Sequence, residues 1–226
     1  NMSLGSAFDN AGLSPDSTLV DAVTFNENIP CVVAAGNSFA NFTIGSPGGS
    51  RGAITVASNA MKLPTAGIVS PFSSKGSTHD GRIKPDLSAP GGNLQYKKET
   101  ILSGTSGLLA KEAGDDYIGI MGTSMATPHV AGCIALLLQA GMKPDRFVIE
   151  NLIAQTSLFN HPKDIYTGWG MIDVKSAYDY LMSGRPLMPI SSLISALNKP
   201  LMPLASLMPR TIESAESTGV RLPYIF

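Results

Sequence analysis

The sequence predicts an α/β domain in which helices flank a mostly parallel central sheet. Short apolar runs bounded by glycine and proline, such as "PCVVAA" at 30–35, alternate with helical patterns, as is typical of parallel sheets. The chain has 226 residues, 43% hydrophobic and 15% charged, so it is long and apolar enough for one sizeable core.

The elements of the first half follow from local signals. Ser14 and Pro15 form a helix start, an N-cap followed by proline, and Leu19, Val20 and Val23 continue it as an apolar stripe. The run at 30–35 predicts a strand covered on both faces, and "GAITVAS" at 52–58 and "AGIVSPFSS" at 66–74 predict further strands.

The second half is predicted to be mainly helical. The run from Ser124 to Ala140 is apolar nearly all round, which predicts a central, fully buried helix. Further helices are predicted to begin near Asp145 and Asp173, the last one ending near Gly184.

The amino-acid composition of the chain changes after Gly184. Residues 185–226 carry a proline every few positions, which forbids a long helix, so we expect a Pro/Met/Leu-rich tail outside a compact domain of residues 1–184. The opening "NMSLG" looks like the end of a strand already under way. We therefore expect that the N-terminal part of the domain, upstream of Asn1, is absent from this chain.

Composition argues against several functions. The formal net charge of -1 gives no reason to expect nucleic acid or an anionic membrane surface, and no apolar run reaches the ~18 residues of a membrane span. No CxxC pair or His/Cys cluster suggests zinc.

Cys31 and Cys133 lie in apolar surroundings typical of buried free cysteines. A disulfide bridge between them and a reactive thiol are the alternatives.

Ser124 is the candidate nucleophile. It opens the predicted buried helix, where unpaired backbone N–H groups and the helix dipole favour negative charge on a nearby oxygen. The alternative is an ordinary N-cap serine. The same tripeptide, Gly-Thr-Ser, occurs at 104–106 without an apolar run behind it, which indicates a loop.

The segment around Ser124, "GTSMATPHVAG" at 122–132, resembles the catalytic-serine motif of the subtilisin-like serine proteases, the subtilases. The resemblance extends in order over roughly residues 1–182. It is carried by "NMSLGS" at 1–6, "VVAAGNS" at 32–38, "TIGSPG" at 43–48, "FSSKG" at 72–76, "KPDLSAPG" at 84–91 and "GWGMIDVKSA" at 168–177.

The resemblance implies a serine endopeptidase that forms an acyl-enzyme on Ser124. The Asn37 amide and the Ser124 backbone N–H would bind the oxyanion; the alternative for Asn37 is a turn after a strand. The implied substrate-binding positions are Ser3, Leu4, Gly5, Ala34, Ala35, Gly36, Gly45, Ser46 and Thr123. The first six would receive the peptide as an added strand, although plain core strands fit their composition too. Gly45 and Ser46 would leave the S1 pocket open at its bottom for a large P1 side chain.

No histidine of the chain is placed to activate Ser124. His129 follows five residues later, about 140° around the helix, and His79 and His161 lie in polar loops. Because the family's chain order is Asp, His, Ser, the acid and base are expected upstream of Asn1. The N-terminal half of the protease is thus an expected partner, besides a protein or peptide substrate.

A cofactor is not required for this chemistry. The resemblance does suggest a weak structural Ca²⁺ site at Asp86, but a single carboxylate is a poor calcium signal, and a turn or salt-bridge role is the alternative. The family also suggests a secreted or extracytoplasmic protein. The competing hypothesis for the whole chain is a non-catalytic scaffold, a pseudo-protease or processed fragment that binds peptide without cutting it.

Overall fold

A computed structural model of the chain describes residues 1–6, 11–61, 67–94, 99–105, 116–159 and 161–192. Four helices and five strands are described: α1 (Pro15–Asn26), β1 (Cys31–Ala34), β2 (Ala53–Asn59), β3 (Leu87–Pro90), β4 (Ile101–Gly104), β5 (Tyr117–Ile120), α2 (Thr123–Gln139), α3 (Arg146–Thr156) and α4 (Val174–Met182). Strands β1, β2 and β3 form a parallel sheet in that order, and β4 pairs with β5 as an antiparallel hairpin.

Helices cover both faces of the parallel sheet, which confirms the predicted α/β class. Val32 and Ile54 are register partners on one face and join the main core under α2. Val33 and Ala53 face the other way and pack with Val20 of α1. Since side chains alternate along a strand, a sheet buried on both faces needs the near-continuous apolar runs that the sequence shows.

The predicted helix starts are confirmed by their caps. The Ser14 side chain accepts a hydrogen bond from the Ser17 N–H at 3.3 Å, and Pro15 begins α1. Asp145 accepts from two backbone N–H groups of α3, and Asp173 accepts from the Ser176 N–H at 3.0 Å at the start of α4. Each cap satisfies N–H groups that have no partner inside the helix.

Strand predictions were less accurate. The strand expected at 66–74 is wrong for its described part, where Val69 makes only an isolated bridge to Asn59 and the rest forms turns. Gly67, with φ of 83°, and Pro71 interrupt any extended run there. Conversely, β3, β4 and β5 were not predicted, because serine, glycine or proline interrupts each of these four-residue strands, whereas β1 is an unbroken apolar run.

Helix α2 is not fully buried, contrary to the prediction. Its inner face packs on the sheet, whereas residues such as Gly132, Ala135 and Leu136 are exposed. When a helix is apolar on every side, its sequence does not show which face packs on the sheet. It also does not show which face stays exposed in this chain.

The first part of the predicted tail is docked on the domain. The Tyr180 hydroxyl donates to the Pro186 carbonyl at 2.9 Å, and the Met188 N–H donates to Gln155 Oε1 at 3.2 Å. Ile190 packs against the core. The remainder of the tail, 193–226, lies outside the described residues. Within the described ranges, no helix is both long and apolar enough to span a bilayer.

The two faces of α2 give a stability prediction. Leu137 is 1% exposed and Leu136 is 59% exposed. We expect Leu137→Ala to lower the free energy of unfolding of the chain by about 2–5 kcal/mol, because it removes buried methyl groups and leaves a cavity. Leu136→Ala should change it by less than about 0.5 kcal/mol. Urea denaturation followed by circular dichroism measures both, and equal losses would contradict the burial described here.

Candidate active site

Ser124 lies in the first turn of α2, where the chain leaves the carboxyl end of the sheet. The Gly122 N–H donates to the Gly91 carbonyl at 2.8 Å, which ties the helix start to the segment after β3. Gly122 has φ of 155°, a value that side chains rarely allow, so glycine is needed for this entry. Among the described residues, none accepts a hydrogen bond from the Ser124 backbone N–H.

Asn37 is held by the residue that precedes Ser124. Its Oδ1 accepts hydrogen bonds from the Thr123 N–H at 3.0 Å and from the Thr123 hydroxyl at 3.1 Å. The same hydroxyl accepts from the Gly36 N–H at 3.3 Å. Because Oδ1 is engaged twice, the amide NH₂ is the free end of this side chain. No described residue accepts from it.

The Ser124 backbone N–H and the Asn37 NH₂ group border the same cleft as the Ser124 side chain. The cleft has a volume of about 370 Å³, and its walls come from the segment 3–6 and from the end of β1. The Ser124 hydroxyl makes one long contact, 3.4 Å to the Ser3 carbonyl, while the Ser3 hydroxyl donates to the Ser124 carbonyl at 2.9 Å. The nucleophile candidate is thus accessible and weakly held.

Most of the predicted substrate positions line this cleft. They are Ser3, Leu4, Gly5, Ala34, Gly36, Gly45 and Thr123. The prediction that Ala35 binds substrate is wrong. Its N–H donates to the Val56 carbonyl and its carbonyl accepts from the Gly45 N–H, so neither backbone group is free to bind a peptide. Ser6 and Ser38 also line the cleft and were missed; their only signal was adjacency to the predicted segments.

Main chain packs closely on Gly45 and Ser46, the two residues expected at the bottom of the S1 pocket. The Ser6 N–H donates to the Ser46 carbonyl at 2.8 Å, and a Cβ added at Gly45 would lie 2.0 Å from the Ser6 carbonyl oxygen. The Ser46 side chain turns away from the cleft and donates to the Asp16 carboxylate at 2.9 Å. Gly45 therefore lines the cleft and Ser46 does not, and the room for a large P1 side chain stays a prediction.

The three histidines take structural positions, as the sequence predicted. His129 Nδ1 lies 2.7 Å from the Met125 carbonyl, and the two ring nitrogens of His161 lie within hydrogen-bond distance of Pro162 and Thr167. His79 is in an exposed loop. No hydrogen bond joins a histidine to Ser124 within the described part of the chain.

Asp86 does not fit a calcium ligand. Its side chain is almost completely buried, and its oxygens lie 2.6 Å from Lys84 Nζ, 2.7 Å from Lys163 Nζ and 3.0 Å from Arg146 Nη2. The Thr55 N–H adds a fourth donor at 2.8 Å. Burial alone would raise the pKa of Asp86, but these three cations hold it well below its usual value. The lone pairs of the carboxylate are used, and the three cations around it would repel a metal ion. The salt-bridge alternative is correct.

The described residues offer no other metal site, since no group of three or more His, Cys, Asp or Glu side chains lies together among them. Both cysteines are free and half-buried. Burial raises the pKa of the Cys133 thiol, which disfavours the reactive thiolate. Ser106, from the other Gly-Thr-Ser sequence, lies outside the described residues.

A serine at the amino end of a helix, facing a cleft with two hydrogen-bond donors, is the arrangement used by enzymes that transfer acyl groups through serine. Comparison with known proteins identifies the family. The chain belongs to the subtilase family, peptidase family S8, whose model matches residues 1–170.

Relatives and solved structures agree with this assignment. Over 145 residues, 62% of this chain, the sequence is 37% identical to the serine protease AprX of Bacillus subtilis. Over 151 residues, 56% of this chain, it is 34% identical to pyrolysin of Pyrococcus furiosus. The chain covers 33% of the first protein and 10% of the second, so it spans a third or less of their lengths. The serine protease of Aeromonas sobria has the same fold, with a TM-score of 0.63, 20% identity, and coverage of 84% of this chain and 44% of that one.

The surroundings of Asp86 predict that calcium does not stabilise the chain by binding at this carboxylate. A site of millimolar affinity would add about 1.4 kcal/mol at 10 mM Ca²⁺, or about 3–6 °C in the thermal midpoint. We expect less than about 1 °C between 10 mM Ca²⁺ and excess EDTA at matched ionic strength, followed by circular dichroism. A saturable rise of several degrees would contradict the ion-pair assignment.

Proposed function

We propose that this chain is the C-terminal portion of a serine endopeptidase in which Ser124 is the nucleophile and Asn37, with the Ser124 N–H, forms the oxyanion hole. The observation that carries the proposal is the clamp between Asn37 and Thr123. It fixes the amide so that its NH₂ group and the Ser124 N–H remain as two unused donors beside one hydroxyl. An amide that served only as a turn residue would not need such a clamp.

Hydrolysis would proceed in two steps. The Ser124 oxygen attacks the scissile carbonyl carbon while its proton passes to a base, and the carbonyl oxygen gains the negative charge. The two donors stabilise that oxyanion more strongly than the neutral carbonyl, which lowers the barrier. Collapse expels the amine, which takes the proton, and leaves the acyl group on Ser124. Water, activated by the same base, then releases the acid.

Substrate would bind between the two walls of the cleft. The segment Ser3–Gly5 lies on one side, and Ala34 and Gly36 lie on the other. A peptide in extended form could add to these edges by main-chain hydrogen bonds. The small side chains of both walls permit its backbone to approach closely, so recognition at these positions would depend little on sequence.

The base and its carboxylate partner would come from an N-terminal half upstream of Asn1. A groove of about 410 Å³ next to Ser124 is lined by Met125 and Pro128 of α2 and by Leu102 of β4. It continues into the exposed face of α2 at Gly132 and Leu136. A Cβ added at Gly132 would meet no atom within 4 Å, so a helix could pack closely there. We propose that the helix carrying the histidine docks on this face.

A non-catalytic peptide-binding protein is the second candidate, because no residue in the described part of the chain places a base next to Ser124. Export is proposed by analogy with a relative named extracellular basic protease, from Dichelobacter nodosus, which is 28% identical and matches 98% of this chain.

The nucleophile and the oxyanion hole can be tested separately in the full-length protein that contains this chain. Ser124→Ala should abolish both peptide hydrolysis and labelling by a serine-reactive phosphonate. Asn37→Ala should lower kcat by about 10²–10³-fold with little change in KM, which is the loss found when one oxyanion donor is removed from subtilisin. Steady-state kinetics and mass spectrometry of the labelled peptide give the readouts.

His79→Asn is the matched control for that experiment, because His79 is in an exposed loop and lines neither the cleft nor the groove beside Ser124. Labelling that survives Ser124→Ala would move the nucleophile elsewhere. Binding of peptide without any hydrolysis by the full-length protein would favour the scaffold.

The proposed docking face predicts that one substitution leaves the 226-residue chain stable but impairs the full-length protein. Gly132→Leu places a side chain in open space, so the 226-residue chain should keep its thermal midpoint or gain slightly from better helix propensity. In the full-length protein the same leucine would separate the two halves and lower kcat by at least about tenfold. Unchanged activity would place the docking surface elsewhere.

A further inference from the structure

A second large cavity lies at the opposite end of the sheet from Ser124. It has a volume of about 630 Å³ and lies at the amino ends of β2 and β3, whereas Ser124 lies beyond their carboxyl ends. Two aromatic side chains, Phe25 of α1 and Phe147 of α3, border it and stack with ring centroids 6.1 Å apart. The cavity is therefore separate from the cleft already described.

Positive charge dominates the lining of this cavity. The five cationic residues are Arg51, Arg82, Lys84, Arg146 and Lys163, of which Arg82 is paired at 2.8 Å with Asp80, a residue outside the lining. Only two acidic residues, Asp86 and Glu150, line it. This imbalance is local, because the whole chain has a formal net charge of -1.

The innermost charges do not cancel. Lys84, Arg146 and Lys163 share the carboxylates of Asp86 and Glu150 in contacts of 2.6–3.0 Å, so three buried cations face two anions. The side chains of these five residues are at most 16% exposed. An unbalanced charge in such surroundings is costly unless a further anion compensates it.

Unused hydrogen-bond donors accompany the excess charge. Lys84 Nζ donates to Asp86 and to the Ala53 carbonyl, which leaves one of its three hydrogens free. Arg82 Nη1 is buried and has no acceptor within the described ranges. Arg51 is exposed at the cavity and forms no ion pair with a described residue.

We propose that this cavity binds a tetrahedral oxyanion, either inorganic phosphate or sulfate or the phosphoryl group of a monoester. A dianion supplies the missing negative charge and accepts several hydrogen bonds at once, and arginine forks match its geometry. The aromatic pair at the border gives an ester group an apolar surface to lie against. A metal ion does not suit a lining of this charge. The proposal is independent of the protease assignment.

Binding can be measured on the 226-residue chain by isothermal titration calorimetry with inorganic phosphate and with phenyl phosphate at pH 7. We expect saturable binding of one anion per chain with a dissociation constant on the order of 1 mM or tighter. Arg51→Gln should weaken it on the order of tenfold, because a hydrogen bond between charged groups is lost. Arg51 is exposed and unpaired, so this variant should fold normally.

Lys143→Gln is the matched control, since it removes the same charge from an exposed residue that does not line the cavity. Tighter binding of phenyl phosphate would identify a monoester as the ligand, and equal binding would identify the free oxyanion. Non-saturable stabilisation, as excluded salts give any protein, would overturn the proposal. So would equal weakening by Arg51→Gln and Lys143→Gln.

A chemical readout distinguishes the site from a general salt effect. Phenylglyoxal modifies exposed arginines, and mass spectrometry reports each residue. Phosphate at saturating concentration should protect Arg51 by at least about fivefold and leave Arg185, exposed on another surface, unprotected. Equal modification of Arg51 with and without phosphate would overturn the assignment of the site.

Discussion

The double hydrogen bond from Thr123 to the Asn37 carbonyl oxygen is the contact on which the candidate active site depends. It joins the segment after β1 to the first residue of α2, two parts of the chain separated by 86 positions. It also decides which end of the Asn37 amide faces the cleft. Because the oxygen is used, the NH₂ group is left as a donor, and the adjacent Ser124 N–H is the second. The site is thus fixed by the packing of a helix on a sheet.

The polarity of the parallel sheet separates the two candidate sites of this chain. All three strands run the same way, so their carboxyl ends meet at the cleft near Ser124, and the amino ends of β2 and β3 meet at the cationic cavity. Loops at the carboxyl ends carry the small residues that line this cleft, as is usual for the ligand sites of parallel sheets. At the other end the sheet is closed by a network of buried ion pairs around Asp86. One fold therefore presents a cleft beside Ser124 and a charged cavity that have no lining residue in common.

The predictions of site residues that failed share one cause. Ala35 and Ser46 belong to segments that do reach the cleft, but hydrogen bonds to Val56 and Asp16 turn these two positions away from it. Asp86 was read as a possible metal ligand because its cationic neighbours Arg146 and Lys163 lie far along the chain. In each case the deciding partner is remote in sequence, so no local pattern could reveal it.

The sequence alone determined the elements with strong local signals, which are the capped helices and the buried strands β1 and β2. It likewise determined the order of the motifs that resemble the subtilases. It also determined Ser124 as the candidate nucleophile and the absence of a suitably placed histidine beside it in the helix. The tertiary structure decided which face of α2 is covered, which groups of the cleft are free, and that Asp86 is surrounded by cations. Local propensity and motif depend on neighbours along the chain, whereas burial, charge balance and the availability of a donor depend on residues that only folding brings together.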